Sequence, residues 1–314
     1  MAVAFGVRAV QLALSAEVAR TYFELRGAQR ELRVAQRNAE NQRHTLQLTN
    51  DRLDAGRGTA LDRERATAQL NSTLALVPVL ETRVAAAINR LGVLVGGSTA
   101  EWSTALVADT TFPAIPDRPA IDSVAAFVRA RPDVRSAERA YAAQRTLVGA
   151  AKSDYFPRVN ITAGAGYNGP KADSLGAVSS RRYAIGPVIS WPLLDLGRVK
   201  THVDVAKARA EEERARYDQV VLTAEEETQN ALVAFDRAKT RLGYLRAAEE
   251  ASERGADLAR MRFTNGASDF LEVLDAERTL LEQQDQLVRG ETDAVTAFVL
   301  LYKALGGVWP DSAH

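Results

Sequence analysis

The chain has 314 residues, and its 40 Lys and Arg balance 40 Asp and Glu, so no one-signed field recruits nucleic acid or anionic lipid. It has no cysteine, which excludes disulfides, thiolate metal sites, cysteine catalysis and a lipidated Cys. Aromatics are only 6%, and abundant Ala, Arg, Glu and Leu suit long helices better than a globular sandwich.

Met1 to Leu14 lack a charged leader region and a clean small-residue cleavage site, so no signal peptide is expected. No run of about 18 apolar residues occurs, so no transmembrane helix is expected either. From Val10 to about Ala55 the spacing predicts a helix, with Val18, Tyr22, Leu25, Leu32 and Ala35 on one side. Gly56 suits the left-handed position after its end, and Gly58 completes the turn. Thr59 then fits an N-cap, with Asp62 three residues on. The next helix runs to about Leu91, interrupted or kinked near Pro78, and Gly96-Gly97 closes it. Ser98 to Pro119, with Pro113, Pro116 and Pro119, reads as an irregular connector. A short helix over Ile121–Ala130 follows, then one from Pro132 to about Lys152.

The period then changes to two. Val159, Ile161, Ala163, Ala165 and Tyr167 alternate with Asn160, Thr162, Gly164, Gly166 and Asn168. After a Gly- and Ser-rich loop, Tyr183, Ile185, Pro187, Ile189 and Trp191 alternate with Ala184, Gly186, Val188 and Ser190. Strands of about 9–11 residues match the length that crosses a bilayer in a tilted barrel. Tyr155, Phe156 and Trp191 at one end, and Tyr167 and Tyr183 at the other, have the look of two aromatic girdles. From about Asp195 to Phe263 one long helical pattern returns. In it Ala231, Phe235, Ala238, Leu242 and Leu245 step by four and three. About 65 residues at ~1.5 Å each would span roughly 100 Å, so this rod must pack on others. A last helix, Phe270–Leu305, folds back along it.

The chain also repeats itself. Arg52–Gly97 recurs without a gap about 210 residues later as Arg262–Gly307. Arg52-Leu-Asp-Ala-Gly56 answers Arg262-Phe-Thr-Asn-Gly266. Leu61, Ala66 and Leu70 answer Leu271, Ala276 and Leu280, and Gly96-Gly97 answers Gly306-Gly307. In the second copy Gly266 is the stop, Asp269 the cap and Glu272 the acid of the first turn, while Asn265 can help form the turn. A duplicated helical hairpin points to a pseudo-symmetric assembly, not a catalytic domain.

Arg129-Ala-Arg-Pro-Asp-Val-Arg135, Gly149-Ala-Ala-Lys-Ser-Asp-Tyr-Phe-Pro157, Trp191-Pro-Leu-Leu-Asp-Leu-Gly-Arg198 and the tip Arg262-Phe-Thr-Asn-Gly266 with Leu271, Leu274, Asp275, Ala276 and Arg278 occur in this order. In that order and spacing, over nearly the whole chain, they resemble the TolC/OprM family of outer-membrane efflux channels (NodT-type outer-membrane factors). The fold this implies is mainly α, with very long antiparallel helical hairpins of α-barrel type and one transmembrane β-hairpin contributing to a trimeric β-barrel. The resemblance divides the chain into a first tunnel hairpin (1–97), an equatorial connector (98–130), a helix leading to the barrel (131–156), the outer-membrane β-hairpin (157–193), a second long hairpin (194–307) and a tail (308–314). It implies a constriction of Leu271, Asp275 and Arg278, and adaptor docking at Gly56, Gly58, Thr59, Asn265, Gly266 and Asp269. Val159, Ile161, Tyr167, Tyr183, Ile185, Ile189 and Trp191 would face lipid. Implied partners are two further copies, a periplasmic adaptor, an inner-membrane pump and outer-membrane lipid. The implied location is the outer membrane with a large periplasmic part. Family members carry a signal sequence and a first strand pair before the residues found here, so the chain is expected to lack the N-terminal third.

Other chemistry finds little support. Gly164-Ala-Gly-Tyr-Asn-Gly169 spells a dinucleotide fingerprint, but Pro170 and a loop follow it instead of a helix N-terminus. His44, His202 and His314 have no metal-ligand spacing. No nucleophile elbow or phosphate loop occurs. Glu225-Glu226-Glu227 reads as a solvated helix face before a lumen lining. Neither an enzyme nor any cofactor is expected. The alternatives to a channel subunit are a soluble helical-hairpin adaptor or scaffold, and a non-functional fragment of a channel.

Overall fold

A computed structural model describes residues 2–97, 102, 106, 124–168 and 177–307. The elements are α1 (Ala2–Asp54), α2 (Ala60–Val95), α3 (Val124–Ala130), α4 (Pro132–Ser153), β1 (Arg158–Tyr167), β2 (Arg181–Ser190), α5 (Leu196–Thr264) and α6 (Phe270–Ala304). Most of the expected connector over Ser98–Pro119, the strand-to-strand loop and the tail lie outside the described residues. α5 is one helix of 69 residues. α1 begins at Ala2, ahead of the expected Val10. α2 runs through Pro78 without the expected interruption. Pro78 is exposed, so the carbonyl it leaves without an amide donor, that of Leu74, lies toward water, where the loss costs least. No described helix is long and apolar enough to cross a membrane.

The chain divides into two compact units. One holds α4, the strands and the start of α5, as Met1–Phe5 and Asp133–Leu222. There β1 and β2 pair antiparallel from Arg158↔Ser190 to Tyr167↔Arg181. The Tyr141 and Tyr217 rings stack at 6.5 Å, and Val199 and Val203 are buried.

The other unit, Gly6–Pro132 with Thr223–His314, holds two antiparallel hairpins, α1/α2 and α5/α6. Each is zipped by apolar contacts. Leu25, Ile88 and Leu91 join α1 to α2. Leu232 and Phe235 of α5 meet Leu301 of α6 and Leu305 just past its end. At the turns a third cluster uses all four helices, with Ala66, Phe263, Phe270, Val273 and Leu274 packed against Leu46, Leu48 and Ala259.

Between the hairpins the packing is different. Buried Asn38 of α1 donates Nδ2 to Oε1 of Gln284 on α6 at 2.8 Å, and Thr45 donates Oγ1 to Oε1 of Glu277 at 2.8 Å. Arg30 pairs with Glu291, and Arg289 stands 4.0 Å from Glu31. Gly27 admits the approach of Thr292, whose Oγ1 would lie 2.2 Å from a Cβ placed there. The three buried glutamates also have a cation inside their own hairpin. Arg83 reaches Glu31 at 2.5 Å, Arg260 reaches Glu277 at 2.9 Å, and Arg246 stands 3.7 Å from Glu291.

Arg131, between α3 and α4, is 7% exposed. Its guanidinium donates to the Ala304 carbonyl at 3.2 Å and to Glu227 at 2.7 Å. The α6 C-terminus thus receives a positive charge where its carbonyls have no helical partner. The middle Arg of Arg129-Ala-Arg-Pro-Asp-Val is therefore a clamp on another helix.

Phe235 is 0% exposed and lies 5.8 Å from the Phe298 ring. Phe235→Ala should cost about 3–5 kcal/mol by cavity formation, read as a lower denaturant midpoint; a midpoint equal to the parent's would mean the cluster carries no such weight.

Candidate functional site

The repeat folds twice into the same turn. In the first copy the Gly56 amide donates to Leu53 O at 2.9 Å and the Arg57 amide to Arg52 O at 2.8 Å. In the second the Gly266 amide donates to Phe263 O at 2.9 Å and the Ala267 amide to Arg262 O at 2.8 Å. Both are Schellman closures, which require a left-handed residue, and Gly56 (φ 70°) and Gly266 (φ 74°) supply it. Asn265 lies just before that residue, and its amide donates to Met261 O at 3.1 Å.

The return helices start alike. Thr59 accepts from the Asp62 amide at 3.1 Å, and Asp269 accepts from the Glu272 amide at 3.2 Å. Each cap satisfies an amide that the first turn leaves free. Gly56, Thr59, Asn265, Gly266 and Asp269 are exposed and Gly58 is half-buried.

The two tips are not interchangeable. Gly58 lies so near its own helix end that a Cβ would stand 3.0 Å from Leu53 N. Its counterpart Ser268 carries that carbon, with a buried hydroxyl that has no hydrogen-bond partner. Arg52 crosses between hairpins: its guanidinium sits 4.3 Å from the Phe263 ring centroid and donates to Phe263 O. Its counterpart Arg262 stays at home, facing Glu272 at 3.5 Å and Ala267 O at 3.4 Å.

Leu271, Asp275 and Arg278 lie on the exposed side of α6, opposite buried Val273, Leu274 and Glu277. Leu271 is 53% exposed. No bond joins Asp275 to Arg278 within the chain. Arg278 lines a groove of about 490 Å³ with Gln69 and Ser72 of α2.

The strand pairing brings the two alternating sets to one face. Val159 pairs with Ile189, Ile161 with Pro187, Ala163 with Ile185 and Ala165 with Tyr183. Paired residues share a face, so Val159, Ile161, Tyr167, Tyr183, Ile185 and Ile189 lie together. Trp191 falls just outside the strand, which ends at Ser190. Its indole donates to Tyr155 O at 3.1 Å. All seven side chains are between 45% and 88% exposed. The other face carries Asn160, Thr162, Gly164, Gly166, Ala184 and Gly186, with Val188 opposite Asn160.

Sequence reasoning missed the bonds between hairpins, among them Arg52 to Phe263. Their one signal is the seven-residue spacing of Glu31, Asn38, Thr45 and Arg52, which reads as a solvated stripe. Among the described residues no group of His, Asp and Glu could hold a metal ion.

Three comparisons bear on this arrangement. The family described as "Outer membrane efflux protein" matches residues 6–97 and 127–307. Outer membrane protein OprJ of Pseudomonas aeruginosa is 29% identical over 97% of this chain and 63% of its own length. The solvent efflux pump outer membrane protein SrpC of Pseudomonas putida is 30% identical over 98% of this chain and 65% of its own. The chain thus spans a little under two thirds of these curated relatives. The solved structure of the outer-membrane channel OprN superposes with a TM-score of 0.89 at 37% identity, covering 98% of this chain and 69% of that one.

Two substitutions test the turn chemistry. Asp269→Ala should cost about 1 kcal/mol through the lost cap, and Gly266→Ala about 1–2 kcal/mol through a side chain at positive φ. Both are read as a shift in denaturation midpoint, and an unchanged midpoint for Gly266→Ala would mean the turn rearranges freely.

Proposed function

The chain belongs to the outer membrane efflux protein family, and from that premise we propose that it is a subunit of an outer-membrane export channel. On this reading three copies form the conduit. The α1/α2 and α5/α6 hairpins line a periplasmic tunnel, and the β1/β2 hairpin supplies part of a barrel in the outer membrane. The observation that carries the reading is the register of that hairpin, which puts Val159, Ile161, Tyr167, Tyr183, Ile185 and Ile189 on one exposed face and leaves Val188 as the one large apolar side chain opposite. A sheet that is apolar on one side, with small and polar residues on the other, suits a wall between lipid and a water-filled pore.

Transport through such a conduit is passive and has no catalytic step. The solutes arrive from an inner-membrane pump by way of a periplasmic adaptor. The adaptor meets the exposed turns at Gly56–Thr59 and Asn265–Asp269, whose shared backbone geometry offers one kind of partner two similar seats. Leu271, Asp275 and Arg278 form the constriction. Three copies of Asp275 around an axis repel one another at close range, so the closed end stores a bias toward opening that Arg278 offsets. Opening is a shift of the tip helices between two packings.

The lipid face has a direct test. Ile161→Arg or Ile189→Arg should reduce outer-membrane insertion of the full-length protein by the equivalent of about 2–4 kcal/mol; undiminished insertion would mean these residues do not face lipid. For the constriction, Arg278→Ala should raise the resting conductance of full-length channels in planar bilayers, and Asp275→Ala, which removes the repulsion, should lower it. Currents identical to the parent's would rule out the trio as the narrow point.

A further inference from the structure

The contact between α1 and α6 holds a second set of partners that is not in use. The helices run antiparallel, and a step of seven along α1, from Asn38 to Thr45, matches a step of seven back along α6, from Gln284 to Glu277. One turn further along α1 from Asn38 stands Gln42, and one turn from Thr45 stands Thr49. Gln42 is 3% exposed, and neither its amide oxygen nor its nitrogen has a hydrogen-bond partner. Thr49 is 1% exposed and bonds only Thr45 O of its own helix at 2.8 Å. An amide buried without a partner costs stability, and this one is the same chemical group as the Asn38 it follows.

We propose that the α5/α6 hairpin ratchets one turn along α1 toward the tips, exchanging Asn38·Gln284 and Thr45·Glu277 for Gln42·Gln284 and Thr49·Glu277. The surroundings suit the exchange. Gly27, which now meets Thr292, would meet Thr296, a residue of the same size one turn on. The released groups keep bonds inside α1: Asn38 to Val34 O at 2.9 Å and Thr45 to Asn41 O at 3.2 Å. The buried glutamates keep their own-hairpin arginines, Arg83, Arg260 and Arg246. A turn in the opposite direction would set Val34 against Gln284, which cannot bond it, so the residues fix the direction. Arg52 opposes the shift, because its hold on Phe263 O is made only in the present register.

Four residues at about 1.5 Å each displace the second tip by about 6 Å relative to the first. One-turn slips between two discrete packings are a known form of switching. The inference goes beyond the channel reading and is measured without reference to transport.

The test uses the absence of native cysteine. Cysteines at exposed Glu40 of α1 and Leu300 of α6 carry spin labels in the full-length protein, with labelled chains diluted into unlabelled ones. Pulsed electron resonance reads the distance between them. N38L/T45V removes the partners of the present register only, and should shorten the distance by about 5 Å. Adding Q42L/T49V to that variant should restore the parent distance. A distance in N38L/T45V unchanged from the parent overturns the proposal. If that double variant does not assemble, Thr45→Val alone carries the test, with a shorter-distance population expected and its absence equally decisive.

Discussion

A carboxylate buried between helices has to be neutralised where it stands, since desolvating an ion costs several kcal/mol. Glu31, Glu277 and Glu291 are each at most 8% exposed, and each has an arginine on the other helix of its own hairpin. The two hairpins are therefore electrostatically self-sufficient before they meet. What joins them is a row of side-chain hydrogen bonds and ion pairs with small residues between, while the apolar clusters of Leu25 and Phe235 each draw their buried residues from one hairpin. Only the cluster at the turns spans all four helices. Cohesion is thus concentrated within hairpins and at the tips, and the long contact between hairpins holds register more than it holds mass.

Much of this was legible in the sequence because the signals are local. Gly56 and Gly266, Thr59 and Asp269 mark helix ends through backbone requirements that no tertiary contact overrides. The alternation in Val159–Tyr167 and Tyr183–Ile189 survives because one face must differ from the other. The contact between hairpins was not legible. Hydrophobic periodicity weighs apolar residues, and Glu31, Asn38, Thr45 and Arg52 carry the period with polar ones. Arg131 was visible only as part of a motif, because its partners Glu227 and Ala304 lie far along the chain. Pro78 suggested a break that an exposed position on a long helix absorbs.

The strand pair sets a different demand. Among the described residues it is a two-stranded sheet, and each strand has one edge whose amides and carbonyls face no neighbour. In hydrocarbon such groups are too costly to leave open, so the pair is stable there only as part of a closed circle. The helical unit meets no such demand, having its own core.

The pseudo-equivalent positions 58 and 268 have a consequence for how the two halves can drift. A β-carbon at 58 would press on the backbone of Leu53, while Ser268 already tolerates one at the price of an unbonded hydroxyl. A β-carbon is crowded at the first tip and accommodated at the second. In a chain descended from a duplication, the first tip is the half expected to retain the ancestral turn. The second is the half free to acquire new side chains, and so to diverge toward a role of its own.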